Sequence, residues 1–105
     1  MQKERQKMKP HEPMTKITGY DDIFNPARAT LDLAADVTGS YSRLSRNIWR
    51  KRLKIIGGDA FRYALFEFWS DLRAGEEVFS RARAFTARLN AEVEKLGALR
   101  TKGGV

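Results

Sequence analysis

The chain has no cysteine and a single histidine, His11, among its 105 residues. Without cysteine there is no disulfide framework and no thiolate metal site, and a reducing compartment is compatible with the composition. A metal site or a catalytic dyad built on His11 would need further ligands, and only Glu12 stands beside it. The sequence therefore predicts no metal, no cofactor and no histidine-based catalysis.

Long apolar runs are also missing. The N-terminus lacks the apolar stretch of a secretory signal, and no segment approaches the roughly 20 apolar residues of a membrane span. The pairs Gly57-Gly58 and Gly103-Gly104 lack the other residues of a phosphate-binding loop or a dinucleotide fingerprint. We expect an intracellular protein, cytoplasmic or nucleoid-associated, without catalysis and without a small-molecule substrate.

Positive charge is abundant, with 20 basic and 13 acidic residues and a formal net charge of +7. Twelve of the 20 are arginine, whose planar guanidinium suits phosphate better than an ammonium does. Residues 38–58 hold six basic residues and no acidic one, and both ends are basic. This pattern predicts an anionic partner for one small domain.

Residues 1–19 alternate in charge and contain two prolines, with almost no apolar periodicity. Such a segment is typical of a flexible basic arm, either mobile or ordered by a partner, or of a solvated tail. We therefore place the helical domain at residues 20–97 and expect residues 98–105 to form a frayed tail.

The first helix is predicted at residues 26–38, with Asn25 as its cap and Pro26 at the first helical position. Apolar residues continue at helical spacing across Gly39. One long helix with a weak point and two helices broken there both fit. We favour the break, with Ser40 capping the second helix, because the charge changes sign at this point.

The second helix, predicted at residues 41–56, is basic and amphipathic. Its apolar members should face the core: Leu44, Ile48, Leu53, Ile55 and Ile56. On the opposite side polar residues recur at steps of four, three and four: Arg43, Asn47, Arg50 and Lys54. Trp49 either stacks on an unpaired base or anchors the helix in the core, and we favour burial.

The central helix, predicted at residues 59–74, organises the core. Its first apolar stripe contains Phe61, Leu65, Phe68 and Leu72, Asp59 should cap its start, and Gly75 should end it. A short turn at Gly57-Gly58 makes it a hairpin with the preceding helix. Phe66 and Trp69 form a second stripe, which predicts an interface with a partner chain or a second copy. Glu67 and Asp71 should join an ion network with Arg62 and Arg73 instead of a catalytic pair.

The last helix is predicted at residues 78–96, by an apolar seam that runs from Val78 to Leu96 and a stop at Gly97. Glu76 and Glu77 favour an early start, whereas Ser80 could cap a later one. Arg81, Arg83 and Arg88 add a second basic set near its start.

These patterns predict an all-α fold, a bundle of about four helices, that binds DNA or RNA without catalysis. It would serve as a small subunit or accessory factor of a nucleoprotein complex, of the replication, packaging or RNA-guided kind. The predicted contacts are Arg43, Arg46, Asn47, Arg50, Lys51, Lys54, Arg81 and Arg88. The alternative is a structural adaptor whose basic faces dock onto acidic proteins. A membrane surface is disfavoured because the core needs the apolar side of the helix, and a merely solvated face is a further alternative.

Overall fold

The computed structural model describes residues 17–103 and the side chains of residues 17–97, and this part of the chain is helical without a strand. Its helices are α1 (Tyr20–Ile23), α2 (Thr30–Thr38), α3 (Arg43–Ile56), α4 (Gly58–Arg73) and α5 (Arg81–Gly103). The predicted all-α bundle is confirmed. Most of the predicted arm, residues 1–16, lies outside the described part, whereas Ile17 is 2% exposed and belongs to the core.

The start of α2 differs from the prediction. Asn25 does not cap a helix, because its side-chain Oδ1 accepts from the amide of Ala27 at 2.9 Å and its carbonyl accepts from the amide of Arg28 at 3.1 Å. These bonds close a turn, and α2 begins only at Thr30. The guanidinium of Arg62 on α4 binds carbonyl oxygens of the same turn, so a distant side chain fixes it in place.

The break between α2 and α3 lies where the sequence predicted it. Gly39 has φ 77° and ends α2 in the left-handed region, which glycine adopts at little cost. The cap of α3 is Ser42 and not Ser40, since the Ser42 hydroxyl accepts from the amide of Ser45 at 3.1 Å. Ser40 instead shares a hydrogen bond of 2.9 Å with the Ser45 hydroxyl.

The hairpin of α3 and α4 turns on one residue. Gly57, with φ 90°, both ends α3 and precedes α4, and glycine permits this conformation. Asp59 lies in the first turn of α4 but makes no capping hydrogen bond, which corrects its predicted role. Phe61, Leu65 and Phe68 of α4 are buried, so the helix lies at the centre of the core as predicted.

The second stripe of α4 is covered by the chain's own N-terminal segment. Phe66 lies 5.4 Å from Tyr20, 6.3 Å from Phe24 and 5.9 Å from Trp69 between ring centroids. Trp69 is only 8% exposed. Both predicted interface residues therefore lie in an internal aromatic cluster, and their contact with a partner chain stays a prediction.

Helix α5 begins later and ends later than expected. Ser80 precedes it and accepts from the amide of Arg83 at 3.3 Å, so the later of the two predicted starts is correct, and Val78 lies outside the helix. The helix continues through Gly97 to Gly103. Phe85 is fully buried, and its ring lies 5.4 to 5.7 Å from those of Trp49, Phe61 and Phe68. α5 thus closes the core over α3 and α4.

Two side-chain hydrogen bonds align α3 with α5. Trp49 Nε1 donates to Thr86 Oγ1, and Arg52 Nε donates to Asn90 Oδ1, both at 2.9 Å. Because the residue numbers increase on both helices from the first hydrogen-bonded pair to the second, α3 and α5 run in the same direction. Their first turns therefore lie at the same end of the bundle.

Candidate nucleic-acid interface

Five of the predicted contact residues share the exposed side of α3, which we call the basic face: Arg43, Asn47, Arg50, Lys51 and Lys54. This side is opposite Trp49, which is 1% exposed and fixes the rotation of the helix. The prediction that Trp49 is buried is confirmed, and the indole is not a stacking surface. Arg50 donates to Asn47 Oδ1 at 2.7 Å, so these two side chains support each other one turn apart.

The four cations of the basic face carry charge that the fold does not neutralise. Among the described side chains, none of Arg43, Arg50, Lys51 and Lys54 takes part in an ion pair. The sequence from residue 38 to 58 contains no carboxylate that could supply one locally. An external anion can therefore meet these groups without breaking an internal ion pair.

Arg46, on the same helix, has a different environment. Its guanidinium contacts the carboxylate of Asp32 on α2 at 2.6 Å. The pair spans α2 and α3 beside a depression of about 390 Å³ that also contains Asp36 and Tyr41. Asp36 accepts hydrogen bonds from Arg28 at 2.8 Å and from the Tyr41 hydroxyl at 2.7 Å, so the polar groups of this depression satisfy one another. Arg46 is therefore not counted in the basic face, because it is already paired with a carboxylate.

Arg88 of α5 is likewise held inside the fold. It forms a close ion pair with Asp71 of α4 and lies 3.8 Å from Glu76, with its guanidinium 5.3 Å from the centre of the Phe68 ring. Asp71 therefore pairs with Arg88 and not with the arginines of its own helix, which corrects the predicted network. The remaining cations near the start of α5 are Arg81, which is half-buried, and Arg83, which is exposed.

Arg81 and Arg88, the two predicted contacts on α5, share one face of that helix. In the structure this shared face lies next to the buried side of α5, and both arginines are half-buried. Phe85 and Leu89 are fully buried, and position 83 falls on the opposite side of the helix. Arg83 is therefore the more accessible of the two arginines, and the contact predicted at Arg81 stays a prediction.

Two apolar side chains of α3 are exposed against expectation. Leu44 is 70% exposed and Ile55 is 47% exposed, although both were predicted to face the core. The reason is the rotation of α3, because burial of Trp49 turns Leu53 and Ile56 inward and leaves Leu44 and Ile55 on the far edge. They border the basic face beside Lys51, which gives this side of α3 a mixed cationic and apolar surface.

Other kinds of site find little support in the described part of the chain. No group of three metal-ligating side chains is present there, and none of its helices has the length and apolarity needed to cross a membrane. No protein-family model, curated protein or solved structure matches this chain. The surface chemistry of α3 and its neighbours is therefore the basis for a functional proposal.

Proposed function

We propose that this protein binds nucleic acid through the basic face of α3, without catalysis, as a small component of a nucleoprotein complex. The observation that carries the proposal is a stripe of four exposed cations, Arg43, Arg50, Lys51 and Lys54, that no carboxylate of the described side chains neutralises. Cations at this spacing on a rigid helix can contact successive phosphates, and each contact releases counterions.

The division among the arginines supports a dedicated surface. Arg46 and Arg88 are paired with carboxylates of neighbouring helices, so their charge is already partly balanced within the fold. The basic face is left for an external partner, and Asn47 adds a polar group for sugar or phosphate. Contacts of this kind provide affinity and orientation but little sequence discrimination.

A salt titration tests the proposal directly. Fluorescence anisotropy would follow binding of labelled single-stranded and duplex DNA to the parent chain and to the Arg43→Ala, Arg50→Ala and Lys54→Ala variants, singly and combined. Each lost phosphate contact should reduce the slope of log affinity against log salt by about 0.7 for single strands and about 0.9 for duplex. Sequence preference should not change.

Lys95→Ala is the matched control for this titration. Lys95 is exposed on α5 and already contacts Glu92 at 3.2 Å, so its removal subtracts one charge away from the basic face. Its salt slope should equal that of the parent. Failure of the parent to bind at low salt would end the proposal, and circular dichroism would verify that every variant remains helical.

Docking onto an acidic protein is the second candidate, and one observation favours it. Exposed Leu44 and Ile55 border the cations, and apolar side chains are of more use to a protein partner than to a phosphate backbone. Such an adaptor would bind generic nucleic acid only weakly near physiological salt. Leu44→Ser with Ile55→Ser would then disrupt the protein complex, whereas nucleic-acid binding through phosphates would keep its affinity and salt slope.

A further inference from the structure

The most exposed large apolar side chain of the described part is Phe79. Its relative exposure is 103%, so the ring touches almost nothing in the fold. It lies between Gly75, which has φ 104° at the end of α4, and the first turn of α5. Covering such a ring with a partner would be favourable, because it would remove apolar surface from water.

The residues around Phe79 carry slightly more positive than negative charge. Arg73 precedes the loop, and Arg81 and Arg83 follow in the first turn of α5. Glu76 lies 3.8 Å from Arg88, which also pairs with Asp71, and Glu77 takes part in no ion pair among the described side chains. Three guanidinium groups therefore lie close to the ring in sequence, against two carboxylates, which is a net excess of one positive charge.

The end of the bundle that carries Phe79 is also the end where the basic face begins. The Trp49–Thr86 and Arg52–Asn90 hydrogen bonds show that α3 and α5 run in the same direction. Arg43 is about 9 Å along the helix axis before Trp49, and Arg81 is about 7.5 Å before Thr86, at 1.5 Å per residue. The first turns of the two helices are thus nearly level, and Phe79 comes just before one of them.

We infer that Phe79 is a stacking residue that takes one unpaired base of a single-stranded nucleic acid whose neighbouring phosphates lie along Arg81 and Arg83. The inference rests on the proposed function and adds a preference for single strands over duplex. Proteins that bind single strands combine a cationic track with protruding aromatic rings, because every base has a π face. In a duplex the bases are stacked on each other, so the ring has no free face to contact.

Substitution of Phe79 gives a sharp test, because an exposed side chain can be changed without loss of core packing. Phe79→Ala should weaken binding of a short oligothymidine about tenfold, as expected for one base–aromatic stack. Duplex affinity should not change, and the salt slope should not change because no cation is removed. Phe79→Trp should retain the affinity for oligothymidine, whereas Phe79→Leu, which is apolar but lacks a π face, should lose it.

Tyr63→Ala is the matched control. Tyr63 is 54% exposed on α4, between Asp59 and Glu67 on the acidic side of that helix, so its removal should leave oligothymidine binding intact. An oligothymidine with one abasic site placed at successive positions completes the test. At the position that meets the ring, the parent should lose about tenfold in affinity and Phe79→Ala almost nothing.

The outcomes separate the inference from the proposed function. If the parent binds oligothymidine and Phe79→Ala binds it equally well, the stacking role is overturned while nucleic-acid binding stands. The ring is then free for a protein partner. If Phe79→Leu binds as the parent does, contact with the ring is only apolar and stacking is again overturned. If the parent binds neither single strands nor duplex at low salt, the proposed function itself fails.

Discussion

Arg62 should be the side chain on which the position of the N-terminal segment depends. Its Nη1 donates to the carbonyls of Ile23 at 2.9 Å and Asn25 at 2.7 Å, and its Nη2 donates to that of Arg28 at 2.6 Å. Its Nε donates to Thr30 Oγ1 at 3.1 Å. One guanidinium thus satisfies three backbone acceptors of the turn between α1 and α2, and we expect Arg62→Met to release that turn.

The expected loss of stability in Arg62→Met follows from these four hydrogen bonds. A hydrogen bond from a charged donor contributes about 1.5–3 kcal/mol net, but bonds that share one donor group are not additive. The contacts are only partly buried, so water can reach some of the freed carbonyls. We therefore expect Arg62→Met to lower the free energy of unfolding by about 2–4 kcal/mol. Arg62→Lys should lose roughly half of that, because one ammonium cannot span three carbonyls.

Urea denaturation measures the loss, and hydrogen exchange locates it. Amides of residues 20–30 should exchange faster in Arg62→Met than those of α4 and α5, because the released segment opens on its own. Arg83→Met removes an exposed arginine from α5 and should change stability by less than about 0.5 kcal/mol. An Arg62→Lys variant with the urea midpoint of the parent would refute the reasoning, since the forked geometry would then contribute nothing.

Two further predictions concern the core and the first turn. Phe68→Ala truncates a ring that is 1% exposed and lies 5.7 Å from the Phe85 ring, so it should cost about 3–5 kcal/mol, and an unchanged thermal midpoint would show that α4 is not central. Hydrogen bonds from the hydroxyl and the amide of Thr18 lower the pKa of Asp22 below its ordinary value of 3.8. The stabilisation is therefore present above pH 3.8 and is lost as the pH falls through the folded pKa. Asp22→Asn should lower the thermal midpoint near neutral pH and match the parent in strong acid, and a difference that persists in acid would contradict this assignment.

Local sequence signals predicted the elements whose stability depends on nearby residues. Spacing of apolar residues gave α3, α4 and α5, and the sign change of charge at Gly39 gave the break before α3. The start of α2 was missed because Asn25 is a sound local cap signal, but the turn it forms is held by Arg62, 37 residues away in sequence. No pattern within the segment indicates that contact.

The sequence likewise predicted only part of the environment of the candidate site. The basic face could be read from the sequence because helical periodicity fixes which residues share a side. The sequence could not show which of the predicted arginines are already paired, because the carboxylates that contact Arg46 and Arg88 come from other helices. The exposure of Leu44 depends on the rotation of α3, which Trp49 sets through its bond to Thr86, 37 residues later.

The single-residue connection at Gly57 has a consequence for the order in which the chain folds. α3 and α4 are joined with almost no loop to close, so their pairing costs little chain entropy and can form early. The contacts of Arg62 span 32 to 39 residues and need α4 in place first. Docking of α1 and its turn is therefore expected late on the folding path. Arg62→Met should accordingly unfold faster than the parent and refold at nearly the same rate.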